Sequence, residues 1–186
     1  DITEDGTFDL ISKNYPGHIM FTLEDELERE MLWGDFLKAA IVALSRKYEL
    51  RRGIKGVIEG TLPVGGLSSS AAVILTYLNA VCIANDIQIT RPEIISNAIW
   101  AERNYIGVNV GKLDQSCEVY CRKNGLLFLD TLDDSNEIIP VSSNMKPFEI
   151  MIVFGGKERQ LAGSAYNTSC LLYTSDAADD RISVDL

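Results

Sequence analysis

From Asp9 to Thr22 short stretches of apolar alternation are mixed with Pro16-Gly17. That pattern predicts two strands joined by a turn. From Trp33 to Tyr48 the apolar residues Phe36, Leu37, Ala40, Ile41 and Leu44 recur at helical spacing. Strand character returns from Arg51 to Glu59, with Ile54, Gly56 and Ile58 on one face. Ala71 to Ala84 is almost wholly apolar and predicts a helix buried on nearly all sides. Thr90 is a candidate N-cap for a helix with Pro92 and Glu93 in its first turn, running to about Tyr105. A glycine-punctuated loop, Gly107 to Gly111, leads into a short helix from Lys112 through Cys121. Gly125 to Asp130 and Glu149 to Phe154 read as strands. Between them Asp130 to Ser143 reads as a polar connection, with Asp133-Asp134 in a solvated turn. The chain shows no internal repeat and no linker rich in Gly, Ser or Pro.

Composition narrows the function classes. An apolar fraction of 46% with 24% charged residues suits a soluble globular chain with a sizeable core. The formal charge of −10 argues against a nucleic-acid partner, which calls for a basic face. No apolar run approaches the roughly 18 residues that span a bilayer, and no signal segment opens the chain; no membrane partner is expected. Cys82, Cys117, Cys121 and Cys170 lack zinc-like pairing. They read as reduced, packed thiols, which fits a cytoplasmic location. His18 has no nucleophile or metal partner nearby in sequence and reads as a surface or core histidine. The chain opens at Asp1 without an initiator Met, so a preceding segment is expected.

The character of the sequence changes near Ser169. Cys170-Leu171-Leu172-Tyr173-Thr174-Ser175-Asp176-Ala177-Ala178-Asp179-Asp180 resembles the in-frame translation of a transposase adapter used in DNA sequencing libraries, and Ser183-Val184-Asp185-Leu186 fits its continuation. Residues 170–186 are therefore expected to be a non-native tail, and residues 1–169 a single domain.

The stretch Leu62-Pro63-Val64-Gly65-Gly66-Leu67-Ser68-Ser69-Ser70-Ala71-Ala72 carries the strongest chemical signal. Glycines allow a sharp turn and close approach of backbone to ligand. The free N–H groups and positive end of the following helix favour a phosphate, and serine hydroxyls add hydrogen bonds or metal ligation. The plainer alternative is a serine-capped helix after a glycine turn. Glu102 lies near a helix end, and Asp114 follows the turn that begins at Gly107. A serine hydroxyl with one or two such carboxylates could hold Mg²⁺, which prefers oxygen ligands. Each carboxylate alone could equally be a surface charge, and Glu102 could pair with Arg103 or Lys112. Other nucleotide signatures fail. No lysine follows Gly66, as a P-loop requires. His-Arg-Asp and Asp-Phe-Gly are absent, and the adjacent glycine pair does not fit the dinucleotide fingerprint.

Pro63 to Ala72 resembles the ATP-binding motif of the GHMP small-molecule kinases. Gly111-Lys112-Leu113-Asp114-Gln115 resembles the catalytic Asp-Gln segment of that superfamily's galactokinase branch, and Glu158 to Asn167 resembles its later Ser-x-Tyr-Asn segment. The resemblance implies an α+β fold of the type found in the second domain of ribosomal protein S5, a mixed sheet with packed helices. It implies ATP contacts at Pro63, Gly65, Gly66, Leu67, Ser68, Ser69, Ser70 and Ala71, with Ser70 and Glu102 ligating Mg²⁺. Asp114 would accept or orient the proton of the sugar's anomeric hydroxyl, and Tyr166 would lie against the sugar ring. The implied activity is phosphorylation of a sugar, galactose first, at its anomeric oxygen. Leu113 stands where galactokinases usually carry methionine. With Leu113-Asp114-Gln115-Ser116 and Trp33-Gly34-Asp35 it also resembles the galacturonate kinases. A non-catalytic sugar and ATP sensor on the same fold is the competing class, and the intact Ser68-Ser69-Ser70-Ala71-Ala72 run favours the enzyme. The branch's amino-terminal segment and carboxy-terminal half are expected to lie outside these residues, so the 186 residues alone are expected to show little or no turnover.

Overall fold

The computed structural model describes residues 1–61 and 67–142, together with positions 144, 146, 149, 151 and 153. Among the described residues six strands and four helices run in the order β1 (Ile2–Thr3), β2 (Thr7–Ser12), β3 (His18–Thr22), α1 (Asp35–Ser45), β4 (Gly53–Ile58), α2 (Ser69–Ala84), α3 (Arg91–Trp100), α4 (Leu113–Tyr120), β5 (Gly125–Leu129) and β6 (Asn136–Pro140). A π-helical segment, Ala101–Ile106, continues α3. The fold is α+β.

Four strands form a mixed sheet in the order β1-β4-β2-β3. β2 and β3 are an antiparallel hairpin, with Leu10 opposite Ile19. β2 and β4 run parallel, with Leu10 beside Gly56, and α1 lies in the connection between β3 and β4. Alternation along β2 sends Phe8 and Leu10 into the core and leaves Ile11 on the open face. Phe8 stacks on Phe21 with ring centroids 5.1 Å apart. Gly53 permits the sheet to close at β4. A Cβ there would sit 1.9 Å from the Thr7 carbonyl oxygen.

Helices cover one face of this sheet. Leu37, Ile41 and Leu44 of α1 meet Ile74, Leu78 and Val81 of α2, and Ile94 and Ala98 of α3 complete the cluster. Asp35, at the start of α1, is buried and accepts N–H bonds from Glu30, Met31 and Leu32 at 3.0, 2.7 and 3.3 Å. The expected cap of α3 is present in full. Thr90 accepts from the Glu93 N–H, and the Glu93 carboxylate accepts from the Thr90 N–H at 3.1 Å.

Three expectations are corrected. α2 is not buried on nearly all sides: Ala72, Thr76, Asn79 and Ile83 form an exposed stripe, with Ile83 71% exposed. An almost uniformly apolar helix carries no periodic mark of its open side, so only its neighbours define it. The connection after Asp130 contains β6, which pairs with β5 in an antiparallel hairpin with Leu127 opposite Ile138. Its two adjacent isoleucines, flanked by Asn, Glu and Pro, give no period-2 signal. The helix from Arg91 changes hydrogen-bonding pattern at Ala101 instead of continuing as a regular α-helix. Half of the strand expected at Glu149 to Phe154 lies outside the described residues, and the described positions 149, 151 and 153 are not in a strand. The tail from residue 170 lies wholly outside them.

Candidate active site

Ser68 turns the chain into α2 with φ +56°, a left-handed conformation. For a non-glycine residue this costs about 1–3 kcal/mol and is found where function holds it. Its side chain makes no cap hydrogen bond, so the plainer alternative of a serine-capped helix is not what forms. The first-turn N–H groups of α2 therefore carry no side-chain cap from Ser68, and the positive end of the helix dipole favours an anion. Ser69 is exposed, Leu67, Ser68 and Ser70 are half-buried, and Ala71 is buried. Pro63, Gly65 and Gly66 lie outside the described residues, as does Tyr166.

Glu102 approaches from the π-helical segment. Gly107, at φ +79°, closes that segment. The N–H groups of Gly107 and Val108 both donate to the Glu102 carbonyl oxygen, the latter at 2.9 Å. A π turn displaces a side chain from its α-helical direction, and such turns recur at functional sites. Here it delivers a carboxylate that is 2% exposed. The Ser70 side chain lies beside that carboxylate, and the Gln115 side-chain amide donates to it. Burial raises the Glu102 pKa above the ordinary value. The Ser70 hydroxyl and the Gln115 amide oppose that rise, and the nearby Asp114 charge adds to it. Neither sequence alternative for Glu102 is realised. Arg103 donates through Nε to the Val110 carbonyl at 2.7 Å, and Lys112 pairs with Asp134.

Asp114 lies in the first turn of α4 and is exposed. Its neighbour Gln115 faces inward and is 1% exposed. The Gln115 Oε1 atom is buried with no hydrogen-bond partner among the described residues. A buried acceptor left unpaired costs about 1–3 kcal/mol. Glu118, one helical turn beyond Asp114, is pushed up to about 7, first by desolvation and then by the charges of Asp114 and Glu102. Sequence reasoning passed over Glu118 and assigned no role to Gln115. The spacing Asp114–Glu118 was the available signal, because residues four apart share a helical face.

Ser70, Glu102 and the Asp114 charge thus converge beside the start of α2. Among the described residues no group of three or more His, Cys, Asp and Glu side chains is arranged to hold a metal by itself. A hydroxyl and a buried carboxylate nonetheless suit Mg²⁺, which commonly takes one or two protein oxygens and completes its shell with phosphates and water.

Residues 35–122 match the model of the family described as GHMP kinases N terminal domain. The chain belongs to the GHMP kinases. Galactokinase of Thermococcus kodakarensis is 34% identical to this chain over 160 residues, 85% of the chain and 44% of the relative. Galacturonokinase of Arabidopsis thaliana is 34% identical over 137 residues, 72% of the chain and 32% of the relative. The crystal structure of Lactococcus lactis galactokinase complexed with galactose superposes with a TM-score of 0.86 at 29% identity, covering 100% of this chain and 49% of that one. The chain spans less than half the length of these curated relatives.

Proposed function

We propose that the whole protein is an ATP-dependent sugar 1-kinase that converts galactose to galactose 1-phosphate, with ADP as the second product. The observation that carries this reading is the meeting of Ser70, Glu102 and the Asp114 charge at the uncapped start of α2. The likeness to galactokinases supports it. In this reading Pro63, Gly65, Gly66 and Leu67 through Ala71 contact ATP, and the N–H groups of the residues other than Pro63 would donate to its phosphates. Ser70 and Glu102 would hold Mg²⁺, which supplies charge neutralisation on the phosphates when bound. Asp114, exposed on α4, accepts the proton of the anomeric hydroxyl. The sugar oxygen bonds to the γ-phosphorus, the bond to the β–γ bridging oxygen breaks, and ADP leaves with the electron pair. Tyr166 is assigned the sugar face. Residues 1–169 form the N-terminal kinase domain in this reading, and 170–186 are non-native. The free thiols Cys82, Cys117 and Cys121 support a reducing, cytoplasmic setting. Among the described residues no helix is long and apolar enough to cross a membrane.

The galacturonokinase likeness and Leu113 favour galacturonate as the second acceptor. An assay of the whole protein with ATP and each sugar decides between them, and phosphate is expected on the anomeric oxygen of galactose. Asp114→Ala is expected to retain ATP binding and to lose about 10²–10⁴ in turnover, the usual range for a general base. Near-normal turnover in that variant rejects the assigned role.

A further inference from the structure

Gln115 lies beside Asp114 in sequence yet faces the opposite way. It is 1% exposed, against a carboxylate that is 2% exposed. An ionised carboxylate only accepts hydrogen bonds, so the amide must present its nitrogen to Glu102 and turn its oxygen elsewhere. The oxygen then has no partner among the described residues. The orientation of the amide is therefore set by Glu102 and by nothing else that the described residues offer it. Ser70 also lies beside Glu102, but its oxygen is the atom that a cation would engage. Gln115 holds the carboxylate from within the protein whatever happens on the Ser70 side.

We propose that Gln115 is a positioning residue, whose side-chain amide fixes the Glu102 carboxylate in the orientation that receives a divalent cation together with Ser70. This rests on the kinase reading above and deepens it. α4 then serves both partners of the transfer. Asp114 on its exposed face addresses the acceptor hydroxyl, and Gln115 on its buried face arranges the metal–nucleotide side. A shift of α4 would move both at once.

The test uses Gln115→Met, which keeps most of the side-chain volume and removes the donor, and Gln115→Asn, which keeps the amide but withdraws it by one carbon. Mn²⁺ is titrated into the full chain in the presence of ADP and free Mn²⁺ is read by electron paramagnetic resonance. ADP affinity in excess chelator and thermal stability are measured alongside. Loss of a group that orients a metal ligand typically weakens metal affinity 10–100-fold. Both variants are expected to fall in that range while ADP affinity without metal stays unchanged. Unchanged Mn²⁺ affinity in either folded variant overturns the proposal. So does a parallel loss of metal-free ADP affinity, the mark of a packing role. If the unsubstituted chain shows no metal-dependent ADP binding, the kinase reading fails and this inference falls with it. If the parent binds and the variants equal it, only this inference fails.

Discussion

Glu118 stands one helical turn from Asp114, and like charges four apart repel. Its pKa, raised to about 7 by desolvation and by the Asp114 and Glu102 charges, has a stability consequence of definite sign. A carboxyl raised in the folded state favours folding fully below its unfolded value, and that contribution is lost as pH rises through the folded value. The window runs from about 4.5 to about 7. Glu118→Gln is therefore expected to be more stable than the parent at pH 8 and indistinguishable from it near pH 4. Because Glu118 is exposed, solvent screening should keep the gain below about 1 kcal/mol. Urea denaturation at the two pH values checks it, and an equal difference at both would remove the electrostatic cause. Sequence spacing could place Asp114 and Glu118 on one face. It could not show that Glu102 closes the same cluster, because that contact crosses from one helix to another.

The elements differ in how plainly they are written. α3 is announced by Thr90, Pro92 and Glu93, and its reciprocal cap forms as read. Thr90→Ala should cost about 1 kcal/mol, measurable as a fall in denaturation midpoint with unchanged slope. Lys47 pairs with Glu93, and with Thr90 it holds that carboxyl well below its ordinary value, at about 2. The contribution of this cap is accordingly present above about 4.5 and lost as pH falls through about 2. The π turn at Ala101–Ile106 is the opposite case. No residue type there distinguishes π from α hydrogen bonding, and the change follows from closure at Gly107 and from Arg103 reaching the Val110 carbonyl. β6 was likewise invisible alone, since its pairing with β5 defines it.

Across the whole molecule, the parallel pairing of β2 with β4 ties the first hairpin to the strand that precedes the glycine–serine run. Gly53 sits at the tightest point of that arrangement. Gly53→Ala would drive a methyl group into the Thr7 carbonyl oxygen, and backbone gives way less readily than a side chain. A loss of at least about 1–3 kcal/mol is expected, the usual range for overpacking; calorimetry showing an unchanged melting temperature would refute it. Resemblance to a family supplied the candidates Ser70, Glu102 and Asp114; the amino-acid order alone determined the local features: the spacing that makes α1, the cap of α3 and the glycine–serine run. These depend on neighbours within a few positions, where propensity and periodicity operate. Tertiary packing decided the open side of α2, the π turn, the left-handed entry at Ser68 and the burial of Gln115 against Glu102. Each of those depends on groups brought together from distant parts of the chain, and a buried carboxylate acquires its partners and its shifted pKa only when the helices close around it.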